Sequence, residues 1–195
     1  SLFMEKLKIT GHNLTPLELY RCIKERKEIE VDEATLRKLR HTREILEKKI
    51  EEGKIIYGVN TNVGALLKTK RVGKSEIDLI KDHALSKEDP EEGDIARATL
   101  LVLLNQLSLG YSTIHPDTFN SLLRFFNTKA KPIFSKLGSL GASGDLIPLA
   151  NMILSIIEGY SEFEGEIVKS KNLIGEEIEL RQGDAIALIL SLIHI

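Results

Sequence analysis

The sequence predicts a mainly α-helical protein with one small β-hairpin. Three observations carry that expectation. Apolar residues recur at helical spacing over long stretches, as at Leu36, Leu39, Leu46 and Ile50. Helix-opening signals precede most of these stretches: Thr15-Pro16, Asp32, Asp94, Pro116 and Asp145. Only the segment from Gly165 to Leu180, "GEIVKSKNLIGEEIEL", crowds β-branched residues and turn signals at short spacing, which places the hairpin at 165–180.

Taken in order, Thr15 caps and Pro16 opens a first short helix that runs to about Arg26. Asp32 caps a second helix with an apolar face and a Glu- and Lys-rich remainder, stopped by Gly53. Lys54 to Leu67, "KIIYGVNTNVGALL", breaks the pattern, because Gly58 and Gly64 flank a polar Asn60-Thr61-Asn62, and it reads as a loop. A helical pattern resumes from Ser75 to about Ser86 and gives way to an acidic turn, "KEDPEEGD". Asp94 then caps "IARATLLVLLNQLSLGYS", apolar around most of its circumference and hence a central buried helix. Pro116 opens "PDTFNSLLRFFN", and Asp145 opens "DLIPLANMILSIIEGY". No internal repeat or low-complexity segment interrupts this order.

The 195 residues, 42% hydrophobic and 29% charged, suffice for one domain with a sizeable core. With 27 basic and 29 acidic residues the net charge is -2, which argues for neither nucleic acid nor an anionic membrane as partner. Cys22 is the single cysteine, so no intramolecular disulfide forms, and a reducing compartment, the cytoplasm, is expected. No apolar stretch approaches the ~20 residues of a membrane span, and "SLFMEKLKIT" lacks the apolar core of a signal peptide; Met4 is the expected natural start. Five histidines, at 12, 41, 83, 115 and 194, lack metal-ligand spacing, so no metal is expected.

Gly138, Gly141 and Gly144 form G-x-x-G-x-x-G, which is not the dinucleotide fingerprint, and Gly58 with Gly64 does not make a phosphate loop. A cluster of glycines marks either a loop or a place where the backbone itself must bend or approach something closely. Taken alone, Ala142-Ser143-Gly144 is a glycine-rich turn in which Ser143 caps the following helix. The longer stretch "GSLGASGDLIPLA", Gly138 to Ala150, resembles the signature of the aromatic amino acid ammonia-lyases, the family of histidine, phenylalanine and tyrosine ammonia-lyases and the related aminomutases.

The resemblance implies the N-terminal part of that family's helical fold. It also implies an autocatalytic prosthetic group, 4-methylideneimidazol-5-one (MIO), built from Ala142, Ser143 and Gly144, with no external cofactor. The residue types suit that chemistry. The Gly144 amide nitrogen must reach the Ala142 carbonyl carbon, which asks for a sharply bent backbone and no Cβ on the attacking residue; Ser143 then loses its hydroxyl as water. The electrophile would sit near a helix N-terminus, whose dipole favours developing negative charge.

"YGVNT", Tyr57 to Thr61, resembles the family's active-site loop, in which the tyrosine removes the substrate β-proton. By itself Tyr57 reads first as an aromatic anchor of the loop, and it is the neighbouring Ala-Ser-Gly signature that reverses this. The family continues with Gly-Phe-Gly where this chain has Asn62-Val63-Gly64, a departure that bears on substrate choice. His83, in "IKDHALS", falls at the family's substrate-selecting position. An imidazole followed by Ala84 resembles the histidine-specific members, whereas a lone histidine on a helix is otherwise a satisfied surface or core residue. Arg97, Asn105, Gly110 and Ser112 match the family's central helix and read as scaffold.

The implied activity is elimination of ammonia from an aromatic L-amino acid, L-histidine to urocanate foremost, with aminomutase and phenylalanine or tyrosine ammonia-lyase as alternatives. The implied partners are the amino acid substrate and three further copies, a homotetramer. A different class of reading, a non-catalytic helical interaction protein, has no need for both Ala142-Ser143-Gly144 and Tyr57. The resemblance covers about Lys54 to Ile189, and family chains run much longer. Residues 1–189 are therefore expected to be the MIO-bearing portion of a lyase domain, inactive alone. Leu190 stands where the family has an active-site asparagine, and "LSLIHI", 190–195, is what the transposon-end adaptor CTGTCTCTTATACACATC encodes, so it is expected to be a non-native tail.

Overall fold

In the computed structural model the described residues are 5–56, 59, 93–133 and 146–191. They form a helical assembly with two small sheets. The elements are β1 (Leu7–Lys8), α1 (Pro16–Lys24), β2 (Ile29–Glu30), α2 (Glu33–Glu51), α3 (Gly93–Leu107), α4 (Pro116–Asn127), β3 (Lys131–Pro132), α5 (Leu146–Ile157), β4 (Tyr160–Phe163), β5 (Glu166–Lys169), α6 (Ser170–Ile174) and α7 (Asp184–Leu190). The mainly α expectation holds.

The local helix signals work as their chemistry requires. Thr15 accepts from the Glu18 amide while the Glu18 side chain accepts from the Thr15 amide, a reciprocal cap followed by Pro16. Asp32 caps α2 through the Thr35 amide at 2.8 Å. Asp94, expected to cap α3, instead lies inside its first turn, because the helix already includes Gly93. An acidic residue in the first turn still suits the positive end of the helix, and its carboxylate meets Lys24 and Lys131 at 3.7 Å each.

The core is built around α3, whose Leu100, Leu101, Leu103, Leu104 and Leu107 are buried, as the unbroken apolar run predicts. Phe119, Leu122, Phe125 and Phe126 of α4 and Met152, Ile153 and Ile156 of α5 pack into the same cluster, together with Leu188 and Ile189 of α7. Cys22 of α1 is buried there too.

The hairpin is present, but its first strand starts earlier than expected. β4 and β5 pair antiparallel from Tyr160↔Lys169 to Phe163↔Glu166, and β3 adds a third strand through Lys131↔Glu162. The connecting Glu164 (φ 51) and Gly165 (φ 82) are both left-handed, the backbone that a two-residue hairpin loop needs to match strand twist. Residues Ser170 to Ile174, expected within the hairpin, are helix α6. Ser170 Oγ explains the switch: it donates to the Ser155 carbonyl at 2.6 Å and meets Ser161 Oγ at 2.7 Å, tying the hairpin and α6 to the end of α5. β1 and β2 pair in parallel at the opposite end of the chain order, Leu7↔Ile29 and Lys8↔Glu30.

Candidate functional site

Tyr57, His83, Ala142, Ser143 and Gly144 all lie outside the described residues, as do the expected helix from Ser75 and the cap residue Asp145. What the structure describes is the frame on both sides of Tyr57. Val59 is fully buried, packed with Leu46 of α2 and Ile186 of α7, with Ile50 and Ile56 against them. Its amide donates to the Ile56 carbonyl at 3.2 Å, and its carbonyl accepts from Gln182 Nε2 at 3.3 Å.

Gln182 belongs to a tightly determined turn, 181–184. The Asp184 amide donates to the Arg181 carbonyl at 2.9 Å, and the Arg181 amide donates back to Asp184 Oδ2 at 2.8 Å. Gly183 stands at φ 92, and a Cβ there would come within 3.2 Å of Thr113 Oγ1 and 3.3 Å of Leu46 Cδ2. Only glycine meets both demands without strain. Thr113 Oγ1 donates to the Gly183 carbonyl at 2.7 Å, fixing the turn against the segment before α4.

Asp184 is the hub of this frame. Its carboxylate, with no solvent exposure, accepts from the His115 amide at 2.7 Å and Thr118 Oγ1 at 2.5 Å as well as from Arg181. Arg43 Nη1 of α2 stands 3.7 Å away, while also donating to the Thr113 carbonyl at 2.8 Å; Arg43 Nε meets Glu47 at 3.0 Å. Burial pushes the Asp184 carboxyl above its ordinary value, and the hydrogen bonds from Thr118, Arg181 and His115, with the Arg43 charge, pull against it. One buried carboxylate thus joins α2, the 113–115 segment, α4 and the 181–184 turn.

Asp184, Arg43 and Gln182 do not stand out in the sequence as functional. Asp184 reads as an ordinary acidic residue opening an apolar helix. The available signal was Arg43, a cation on the stripe Leu39–Leu46–Ile50, since a charge on an apolar helix face implies a buried partner. The residues read as scaffold do scaffold work: Asn105 Oδ1 accepts from the Gly11 amide at 3.0 Å, and the Gly110 carbonyl accepts from Thr42 Oγ1.

Beside the hub lies a polar surface groove of about 330 Å³ lined by Asp117, Thr118, Ser121, Arg124, Glu176 and Arg181, among others. Two ion pairs lie within its walls, Arg124 with Glu176 and Arg181 with Asp117. Among the described residues no group of three His, Cys, Asp or Glu side chains is placed to hold a metal, and no helix is long and apolar enough to cross a membrane.

A family model described as aromatic amino acid lyase matches residues 14–191. The chain is 34% identical over 190 residues to histidine ammonia-lyase of Bacillus mycoides (strain KBAB4), an overlap of 93% of this chain and 38% of that protein. Solved structures that share its fold include two aminomutases. Phenylalanine aminomutase of Pantoea agglomerans has a TM-score of 0.85 at 26% identity, over 94% of this chain and 37% of that one. Tyrosine aminomutase from Streptomyces globisporus has a TM-score of 0.82 at 28% identity, over 95% and 36%. The chain thus spans well under half the length of the relatives it matches.

Proposed function

The chain belongs to the aromatic amino acid lyase family, and on that premise we propose that its full-length protein eliminates ammonia from an aromatic L-amino acid, L-histidine to urocanate foremost. The observation that carries the reading is the intact Ala142-Ser143-Gly144 within "GSLGASGDLIPLA", accompanied by Tyr57. These residues have the atoms an MIO ring requires: an amide nitrogen without a neighbouring Cβ at Gly144, a carbonyl carbon at Ala142, and a departing hydroxyl at Ser143. When formed, the ring supplies an electrophilic methylene that activates the substrate amino group for departure. Tyr57 Oη takes the proton from the substrate β-carbon, which demands a proton affinity lowered from the ordinary phenol value of about 10. His83 pairs with the polar ring of the substrate, whose nitrogen atoms would otherwise stay unsatisfied at about 1–3 kcal/mol each.

The same proposal takes residues 1–189 as the MIO-bearing portion of the lyase domain and 190–195 as a non-native tail. It places the full-length protein in the cytoplasm as a homotetramer without an external cofactor. A second reading, an aminomutase that returns ammonia to the β-carbon, draws on the two aminomutase structures that share the fold. Product analysis of the full-length protein separates them: urocanate for the lyase, a β-amino acid for the mutase. The ring itself is tested by intact mass, which should fall short of the sequence mass by two waters and return by both in Ser143→Ala, with loss of turnover. A full sequence mass in folded, pure protein would overturn the assignment.

A further inference from the structure

We propose that Gln182 is a positioning residue for Tyr57, acting through Val59; this rests on the assignment of Tyr57 as the base. Val59 lies two residues beyond Tyr57, a length of chain that reaches at most about 7 Å. Fixing Val59 therefore restricts where the Tyr57 side chain can be delivered. Val59 is fixed on three sides. Its side chain is buried between Leu46 and Ile186, its amide is taken by Ile56, and its carbonyl is taken by Gln182 Nε2 at 3.3 Å.

The donor that holds the carbonyl is itself held by everything around Asp184. The flanking Arg181 and Asp184 close the turn reciprocally, Thr113 grips Gly183, and the carboxylate has no exposure to water. A rigid turn presenting one outward donor is a device for placing an acceptor. Neighbouring Arg181 is engaged by Asp117 and by the turn, while the Gln182 side chain reaches across to the Val59 carbonyl. Gln182 is exposed, so its replacement leaves the core intact.

The test is Gln182→Met in the full-length protein, a change that keeps side-chain length and removes the donor. One hydrogen bond of this kind corresponds to a fall in kcat of about fivefold to tenfold. KM should stay within about twofold, since substrate contacts are untouched. In hydrogen exchange measured on the same protein, peptides covering 56–59 should exchange faster while those of α3 keep their protection. Unchanged kcat overturns the proposal, as does a fall in kcat without faster exchange at 56–59, or faster exchange spread through α3. Tyr57→Phe separates this from the functional reading. If that variant keeps its turnover, both fall; if it loses turnover while Gln182→Met does not, only the positioning role falls.

Discussion

Among the described residues, Asp184 and Arg97 are both buried charged side chains, and they are treated in opposite ways. Asp184 accepts three hydrogen bonds and faces Arg43 across 3.7 Å. Arg97, in the second turn of α3, is 2% exposed, and its Nε and Nη2 find no acceptor among the described residues. Its compensation is the face of Phe126, with the guanidinium carbon 4.6 Å from the ring centroid. Burial pulls the Arg97 guanidinium below its ordinary value, opposed by Cys22 and Asp94. The difference teaches that burial alone does not make a charge a structural hub. Asp184 specifies geometry because its partners come from α2, from the start of α4 and from its own turn, so pairing it ties these parts together. Arg97 contributes volume and a stacking surface, and its charge is a cost the helix carries.

Breaking the first member should have the largest effect. Asp184→Leu removes the buried carboxylate beside Arg43, leaving it the half-exposed Glu47 as ion partner, and leaves three donors without an acceptor. Urea denaturation of the full-length protein should show a loss of about 3–5 kcal/mol. A loss below about 1 kcal/mol would mean that the donors find other acceptors, and the contrast would collapse.

Arg97→Met tests the second member with the opposite sign. The thioether chain retains the apolar stem and the contact with Phe126 while removing the unsatisfied nitrogens, so stability should hold or rise by about 1 kcal/mol. A marked loss in the same assay would show that Arg97 has a partner beyond the described residues.

The smallest effect concerns pH and sharpens the comparison at the edge of the hub. His115 Nδ1 accepts from the Asp117 amide at 3.0 Å, capping α4, and only a neutral imidazole does this. Burial holds the His115 ring below its ordinary value, with Arg181 and Arg43 acting in the same direction and Asp117 and Glu47 against it. The unfolded chain therefore binds the proton first. The contribution is complete above the ordinary imidazole value of about 6.5 and is lost as pH falls through that value toward the folded one. Thermal melts between neutral and mildly acidic pH should show this slope reduced in His115→Asn, which caps without titrating. An unchanged slope would assign it to other groups.

The parts of the fold that were legible in the sequence are those decided within a few residues. The caps at Thr15 and Asp32 and the opening at Pro116 need only their own first turn, and α3 announced its burial by having no polar face. The first strand of the hairpin was hidden because Tyr160 to Phe163 follows the apolar run of α5 directly. What ends the helix and starts the strand is the Ser155–Ser161–Ser170 network, whose members are separated along the chain. The same reason hides Asp184: His115 and Thr118 are 69 and 66 residues away. Ala142-Ser143-Gly144 reads as a motif because its three residues are contiguous, and Tyr57 reads from its own short loop pattern, so the chemistry proposed for them rests on local sequence. Its surroundings are a matter of tertiary contact and leave no local trace.

The parallel ladder of β1 and β2 has one further consequence. Glu28 and Glu30 turn their carbonyls toward β1, so the amide and carbonyl of Ile29 face the other way. Both are taken by a single side chain, that of Asn127 at the end of α4: its Oδ1 accepts from the Ile29 amide at 2.8 Å and its Nδ2 donates to the Ile29 carbonyl at 2.9 Å. A carboxamide has the donor and acceptor of a peptide group, so Asn127 imitates the next strand without being one. An intruding segment from another molecule finds that rung already occupied, and the ladder cannot propagate there into an intermolecular sheet. A two-residue ladder is thereby made terminal, and a helix end doubles as a guard against aggregation.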